Sequence, residues 1–481
     1  GAWRGAEARK AGEPARITVG PLADAAGVNT GYDQILILQD DNPFLVDSVL
    51  GELAEAGVTV RALFHPIVEV EAGRRDSLII VVIDPLPQER RDALGEGLAQ
   101  AMADVRVAVR DHGAMVQTMR DAVQRLEAAP PKGVDPEVLK ENLEFLRWAK
   151  SDHFVFLGAR DYDYPRDASG SYEAEAPLNQ SSDGLGVLSD PERRVLRRAS
   201  EPAVLTAAMQ RQMDESDPVT VAKANMRSRV HRRAYMDYVG VKRYDADGKP
   251  TGETRFVGLF TAEAYDKMAK EVPLIRRKVA NALERAGKTP GSHNYKRLKN
   301  ILENYPRDEL FQIGEDELLD TALGILHLYD RPRIRLFTRR DPFDRFVSVL
   351  CFIPRERFDA GLRQRIGGIL AQAWGGRVSA WYPQLTDQPL TRVHYIIGVT
   401  PGDHPIPDLK ALEAEVAEAG RSWIDRFERA LRLAGVDEAA VGPTSARWAE
   451  GFGFAFRARY DAAEAVADLE QFDRLNDGSA A

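Results

Sequence analysis

Between Ile35 and Arg110 the spacing of apolar residues changes repeatedly, and the order of those changes restricts what the stretch can fold into. Ile35 to Leu38 is an unbroken apolar run and reads as a buried strand. In the segment that follows, Val46, Val49, Leu50 and Leu53 recur at i, i+3, i+4 and i+7, one face of a helix. Asn42 is placed to cap that helix, Pro43 to be its first residue and Gly57 to follow its last. From Val58 to Val70 the period becomes two, a strand with Pro66 inside it. Proline donates no ladder hydrogen bond, so this strand is expected at a sheet edge or with a break at that point. Leu78 to Ile83 is a second buried strand, Leu94, Leu98, Ala101 and Met102 share a helical face, and Val105 to Arg110 alternates again. The order βαββαβ is that of a ferredoxin-like plait.

A chain of 481 residues exceeds one ordinary core, so about three domains are expected. Residues 1–31 lack a sustained period and read as a tail or the end of something truncated. The plait occupies 32–113 and helices linked by the breaker Ala129 to Gly133 occupy 114–150. A β-rich module occupies 151–261, with a polar, mobile loop expected within Ser169 to Gly184. Residues 262–330 read as helices broken at Lys288 to Asn294 and Tyr305 to Asp308. A hairpin, a helix and a second hairpin follow over 331–400. With the helix Asp316 to Leu328 placed in front, they make αββαββ, a permuted plait. Residues 401–481 read as helices with a fraying end. The fold class is α+β and multidomain.

Net charge is −9, which opposes a nucleic-acid role because phosphate binding needs clustered positive charge. No apolar run is long enough for a membrane span and no signal pattern opens the sequence, so a cytoplasmic protein is expected. The single cysteine, Cys351, excludes a disulfide framework and sits in an apolar run that reads as core. The eight histidines show no metal-ligand spacing. Gly95 to Gln100 lies inside a helix pattern, so it is not the Gly-rich strand-to-helix turn that holds a pyrophosphate. No nucleophile, base and orienting group assemble from the sequence.

Two features invite a binding role. In the turn Asp40–Asp41–Asn42, the free N–H groups of Phe44 and Leu45 with the helix dipole would hold a carboxylate, and Asp40 and Asp41 the ammonium of the same amino acid. The alternative is packing alone: Asn42 caps the helix, Phe44 joins the core, and the two aspartates repel any carboxylate arriving without its ammonium. The second feature is the basic run Lys223, Arg227, Arg229, His231, Arg232 and Arg233. Arg227, Arg229 and Arg233 share a strand parity, which allows a phosphate-binding face, but a strand paired with nearby acids is the reading the acidic total favours. Tyr235, Tyr238 and Tyr244 suit either a ligand cavity or the half-buried faces of strands.

Several blocks together resemble the N-terminal segment of the large bacterial NAD-specific glutamate dehydrogenases: DNPFLVDSVLGEL, FLRWAKSDHFVFLG, VHRRAYMDYVGVKRYD, ILENYPRDELFQI, TALGILHL and IRLFTRRDPFDRFVS. The likeness runs in order from Tyr32 to about Val399. It implies two ACT-like plaits, 32–113 and 331–400, around a PAS-like module, 151–261. It also implies a parent polypeptide that oxidises glutamate to 2-oxoglutarate and ammonia with NAD as a homo-oligomer. The catalytic domain and the NAD site would lie outside this chain, which would have no cofactor of its own. Its partners would be the rest of its polypeptide, other subunits and an amino-acid effector, with no nucleic acid or membrane. A free-standing small-molecule sensor is the alternative.

Overall fold

The computed structural model describes residues 9–71, 73–164, 179–180, 182–193, 195, 217–385, 388–448 and 451–476. The chain divides into two units, Gly1–Leu319 and Asp320–Ala481. Among the described residues no helix is long and apolar enough to cross a membrane.

The first unit opens with β1 (Arg16–Ala23), β2 (Asn29–Asp40), helix α1 (Leu45–Glu55), β3 (Val60–Phe64), β4 (Ile67–Glu71), β5 (Arg74–Ile83) and helix α2 (Gln88–Ala128). The sheet order is β1-β2-β5-β3, with β4 also on β5. His65 and Pro66 separate β3 from β4, and the Pro66 carbonyl accepts from Leu78 N–H at 3.0 Å, so the break expected at the proline is present. Gly57 closes α1 at φ +63: its N–H reaches the Ala54 carbonyl and that of Val58 reaches Leu53, a Schellman end. Ile35, Ile37, Val49, Leu53, Ile79, Val81, Leu94 and Leu98 are buried.

Two expectations fail here for one reason. Residues 1–31 are not simply a tail, because β1 pairs antiparallel with β2 from Arg16↔Leu38 to Ala23↔Asn29. Val105 to Arg110 is not a strand; it lies within α2, whose 41 residues extend about 60 Å at 1.5 Å per residue. A plait has its fourth strand beside its first, and β1 fills that place from the N-terminal side. The order is therefore ββαββα, a permuted plait, and VRVAVR has no free sheet edge to join. Its burial is helical: Ala101, Met102, Val105 and Ala108 are buried, whereas Val107 and Val109 are only partly so. The helix expected separately from Met115 onward continues the same element.

Helix α3 (Pro136–Trp148) starts where Asp135 accepts Glu137 N–H at 2.8 Å, with proline in the first turn. A π-turn (Ala149–His153) leads into β6 (Phe154–Asp163). The short strands β7 (Asn179–Gln180) and β8 (Leu185–Gly186) and the long β9 (Val219–Arg227), β10 (Tyr235–Tyr244) and β11 (Pro250–Phe260) complete an antiparallel sheet ordered β7-β6-β11-β10-β9, with β8 on β6. Asp245 accepts the N–H groups of Asp247 and Lys249, each at 2.9 Å, closing the β10–β11 turn. Most of the stretch read as a mobile loop lies outside the described residues. Four helices follow, α4 (Ala262–Asp266), α5 (Ile275–Arg285), α6 (His293–Glu303) and α7 (Arg307–Gln312), interrupted at both expected breaks, and α8 (Glu315–Leu328) spans the boundary in sequence.

The second unit repeats the permuted plait: β12 (Arg335–Arg340), β13 (Phe346–Pro354), α9 (Ala360–Ala373), β14 (Arg377–Gln384), β15 (Leu390–Gly398) and α10 (Leu409–Ala419), in sheet order β12-β13-β15-β14. Its second core helix is α10, which contributes Leu412 and Val416 to the cluster holding Cys351, Ile366, Leu370 and Ile397. The sequence pattern had put Asp316 to Leu328 in that role. Helices α11 (Trp423–Leu433), α12 (Glu438–Trp448), α13 (Phe454–Arg459) and α14 (Ala462–Asn476) follow, with a separate core around Phe427, Leu431 and Ala465.

Candidate functional site

The turn from Asp40 to Leu45 does not present two free carboxylates. Asp40 accepts from the Arg9 guanidinium and, through Oδ2, from Gly12 N–H at 2.8 Å. Arg9 also reaches Asp76, at 3.1 Å through Nε and 2.7 Å through Nη2, and Arg74 adds a contact to Asp76 at 3.2 Å. The side chains of Arg9 and Asp76 are both 0% exposed. Asp41 pairs with Arg75 at 3.3 Å. The aspartates thus tie the N-terminal segment and β5 to the end of β2. Burial pushes the Asp76 carboxyl up, but the hydrogen bonds from Arg9 and Arg74 outweigh it and hold it below the usual carboxylate range. A depressed pKa adds stability above the unfolded value of about 3.9 that is lost as pH falls through the folded value. Acid titration of stability should therefore show a limb in that window, and Asp76→Asn should flatten it. An unchanged limb would contradict this role.

The helix also begins later than expected. Phe44, at φ +70, precedes it in the left-handed region, so Pro43 is not its first residue, and no side chain caps it. Instead Ser48 turns back, its N–H and hydroxyl meeting the Phe44 carbonyl at 3.0 and 2.6 Å. Leu45 is core, 1% exposed. Of the five residues read as an effector site, Asp40, Asp41, Asn42, Phe44 and Leu45, only Phe44 lines the cleft described below.

Three members of the basic run, Arg227, His231 and Arg233, are engaged by α1. Arg233 contacts Glu52 and lies 3.3 Å from Glu55, Arg227 lies 3.1 Å from Glu55, and the His231 ring meets Asp47 at 2.9 Å. His231 N–H donates to Ser48 Oγ at 3.0 Å, and its ring lies 5.3 Å from that of Phe44. A Cβ on Gly51 would come within 3.2 Å of Arg233 Cγ, so the glycine lets the arginine lie across the helix. Burial lowers the Arg233 pKa. Because β9 ends at Arg227, Arg229 and Arg233 lie in a loop and the shared strand parity does not exist. Lys223 is paired with Asp237 at 2.5 Å and Asp308 at 3.0 Å.

Beside Phe44 is an open cleft of about 430 Å³ lined by Pro43, Phe44, Ala108, Val109, His112, Asp152, Phe154, Val155, Phe156 and Thr261. The walls come from the turn before α1, the middle of α2, the start of β6 and the residue after β11. Phe154 and Phe156 pack edge to face at 5.2 Å, and His112 meets Phe156 at 6.4 Å. Thr261 N–H bonds the His153 carbonyl at 3.0 Å, joining two walls. Asp152, like Phe44, is a non-glycine residue in the left-handed region, at φ +63. Such conformations cost of order 1–3 kcal/mol each and persist where the surroundings over-determine them. Sequence reasoning gave neither His112 nor Asp152 a binding role, although Asp152 lies in the block FLRWAKSDHFVFLG; it is the fold that brings them together.

Elsewhere in the β-rich sheet, Tyr238 is buried and donates to Glu253 at 2.5 Å, while Arg255 stacks over Tyr162 at 4.2 Å and bonds Glu253. Tyr238 is thus packed and satisfied, whereas Tyr235 and Tyr244 are half-buried. Among the described residues no group of three or more His, Cys, Asp or Glu is placed to hold a metal ion.

Comparison with known proteins gives a consistent picture. A family model described as "Glutamate dehydrogenase, ACT1 domain" matches residues 1–128, ending with α2, and one described as "Glutamate dehydrogenase, ACT2 domain" matches 335–424, which takes in α10. Models for helical motifs 1 and 2 of glutamate dehydrogenase match 272–331 and 433–475. The chain is 34% identical to the NAD-specific glutamate dehydrogenase of Halomonas elongata over 95% of its own length and 29% of that protein's. It is 31% identical to that of Pseudomonas aeruginosa over 99% and 30%, and 27% identical to that of Mycobacterium tuberculosis over 98% and 29%. It therefore spans less than a third of the curated relatives it matches.

Proposed function

Because the chain belongs to the NAD-specific glutamate dehydrogenase family and matches its N-terminal segment, we propose that it is the regulatory and assembly portion of a longer polypeptide. In this reading the remainder oxidises L-glutamate to 2-oxoglutarate and ammonia, and NAD binds there. The observation that carries it is that nearly the whole chain aligns with under a third of each relative, through ACT domains and helical motifs. The β-rich sheet serves as the PAS-like module. The assembly is a cytoplasmic homo-oligomer, an amino-acid effector acts through the first plait, and Phe44 is its point of contact in the turn from Asp40 to Leu45. A free-standing sensor is not favoured, since the relatives are dehydrogenases.

Deleting this segment from the longer polypeptide tests the proposal. Sedimentation should report a smaller assembly, and the response of glutamate-dependent NAD reduction to added amino acids should be lost. Assembly and response both unchanged would overturn it.

A further inference from the structure

We propose that the cleft between Phe44, His112 and Asp152 is a binding site for a small organic cation, a protonated amine carried on an apolar body. The cleft includes Phe44, so the inference rests on the effector reading for the ligand's role and on the geometry of the first unit for its chemistry. At about 430 Å³ the cleft lies within the range of small-molecule sites, roughly 300–1,000 Å³. Its floor is aromatic: Phe154 and Phe156 are 4% and 2% exposed and form an edge-to-face pair, with the Phe44 ring forming part of one wall. Such a surface takes an apolar or aromatic body.

The charge of the lining selects what that body carries. The Asp152 side chain is exposed, and its carboxylate has no hydrogen bond or ion pair to another described residue. None of the ten lining residues is an arginine or lysine, so a phosphate or dicarboxylate would meet the Asp152 charge without a permanent counter-charge. A cation is attracted both by that carboxylate and by the aromatic faces. Two lining residues, Phe44 and Asp152, hold left-handed backbone conformations without being glycine, at φ +70 and +63. Phe44 is held further by the His231 ring at 5.3 Å and by Ser48. The backbone at two lining positions is thus held in a conformation that its surroundings enforce.

Titration calorimetry on the full chain tests this with phenethylamine and with 3-phenylpropionate, which has the same body and the opposite charge. Phenethylamine should bind and 3-phenylpropionate should bind at least tenfold more weakly. Asp152→Asn keeps a residue that tolerates the left-handed conformation and should weaken phenethylamine at least tenfold with circular dichroism unchanged. Val109→Trp, which fills the cleft without touching the charge, should also abolish binding. L-Phenylalanine separates two sources of the same chemistry: binding as tight as phenethylamine identifies a free amino acid, and weaker binding identifies a simple amine. Failure of phenethylamine to bind, equal binding of the carboxylate, or undiminished binding in folded Asp152→Asn or Val109→Trp would overturn the proposal.

Discussion

Replacing Arg9 by alanine is expected to destabilise the first unit by about 3–5 kcal/mol, because it leaves Asp76 buried without its principal partner. The residue lies in the stretch that looks least structured in the sequence, yet its side chain is fully enclosed and bonds both Asp76 and Asp40. Arg16→Ala is the control. That arginine forms an exposed pair with Glu13 at 3.3 Å, and such pairs contribute about 0–1 kcal/mol. Denaturant titration of both variants gives the comparison. A loss in Arg9→Ala no larger than in Arg16→Ala would mean that the buried cluster does not hold the N-terminal segment to the sheet.

Proline at position 105 should cost about 3 kcal/mol or more, since it removes a helical hydrogen bond and collides with the carbonyl four residues back in the middle of α2. Val105 also belongs to the core, so any displacement of the helix exposes apolar surface. The substitution separates the two assignments of this segment. At the first residue of an edge strand proline is tolerated. A Val105→Pro variant with full helicity and unchanged stability would restore the strand and remove the permuted plait.

What the sequence disclosed and what it concealed divide along physical lines. The Pro66 break and the Gly57 helix end were legible because each follows from a constraint of the residue itself. VRVAVR misled because valine at every second position satisfies a strand while Ala101, Met102, Val105 and Ala108 satisfy a helix. Which one forms depends on whether the sheet edge is already taken. The strand that takes it, RITVGPLA, is short and carries Gly20 and Pro21, so its alternation of Ile17 and Val19 did not stand out. The same limit applies to the site. Asp40 and Asp41 have the composition of an ammonium pocket, but their arginine partners Arg9 and Arg75 lie 31 and 34 residues away in sequence and are paired with them only by the fold. The basic run does meet acids, but not as one strand: Arg227 and His231 pair with residues of α1 more than 170 residues earlier, and Lys223 with Asp237 and Asp308. Nothing local marks His112 or Asp152 as part of a cleft, and only the meeting of α2 with β6 makes them neighbours of Phe44.

We propose that this chain regulates and assembles a dehydrogenase whose chemistry resides elsewhere in the polypeptide. The most direct measurement is NADH formation by the purified chain with L-glutamate and NAD, alongside the longer polypeptide under the same conditions. The chain alone should produce no NADH above the enzyme-free rate and should bind no NAD by calorimetry, while the longer polypeptide turns over. Sustained, glutamate-dependent NADH formation by the chain alone would contradict the claim.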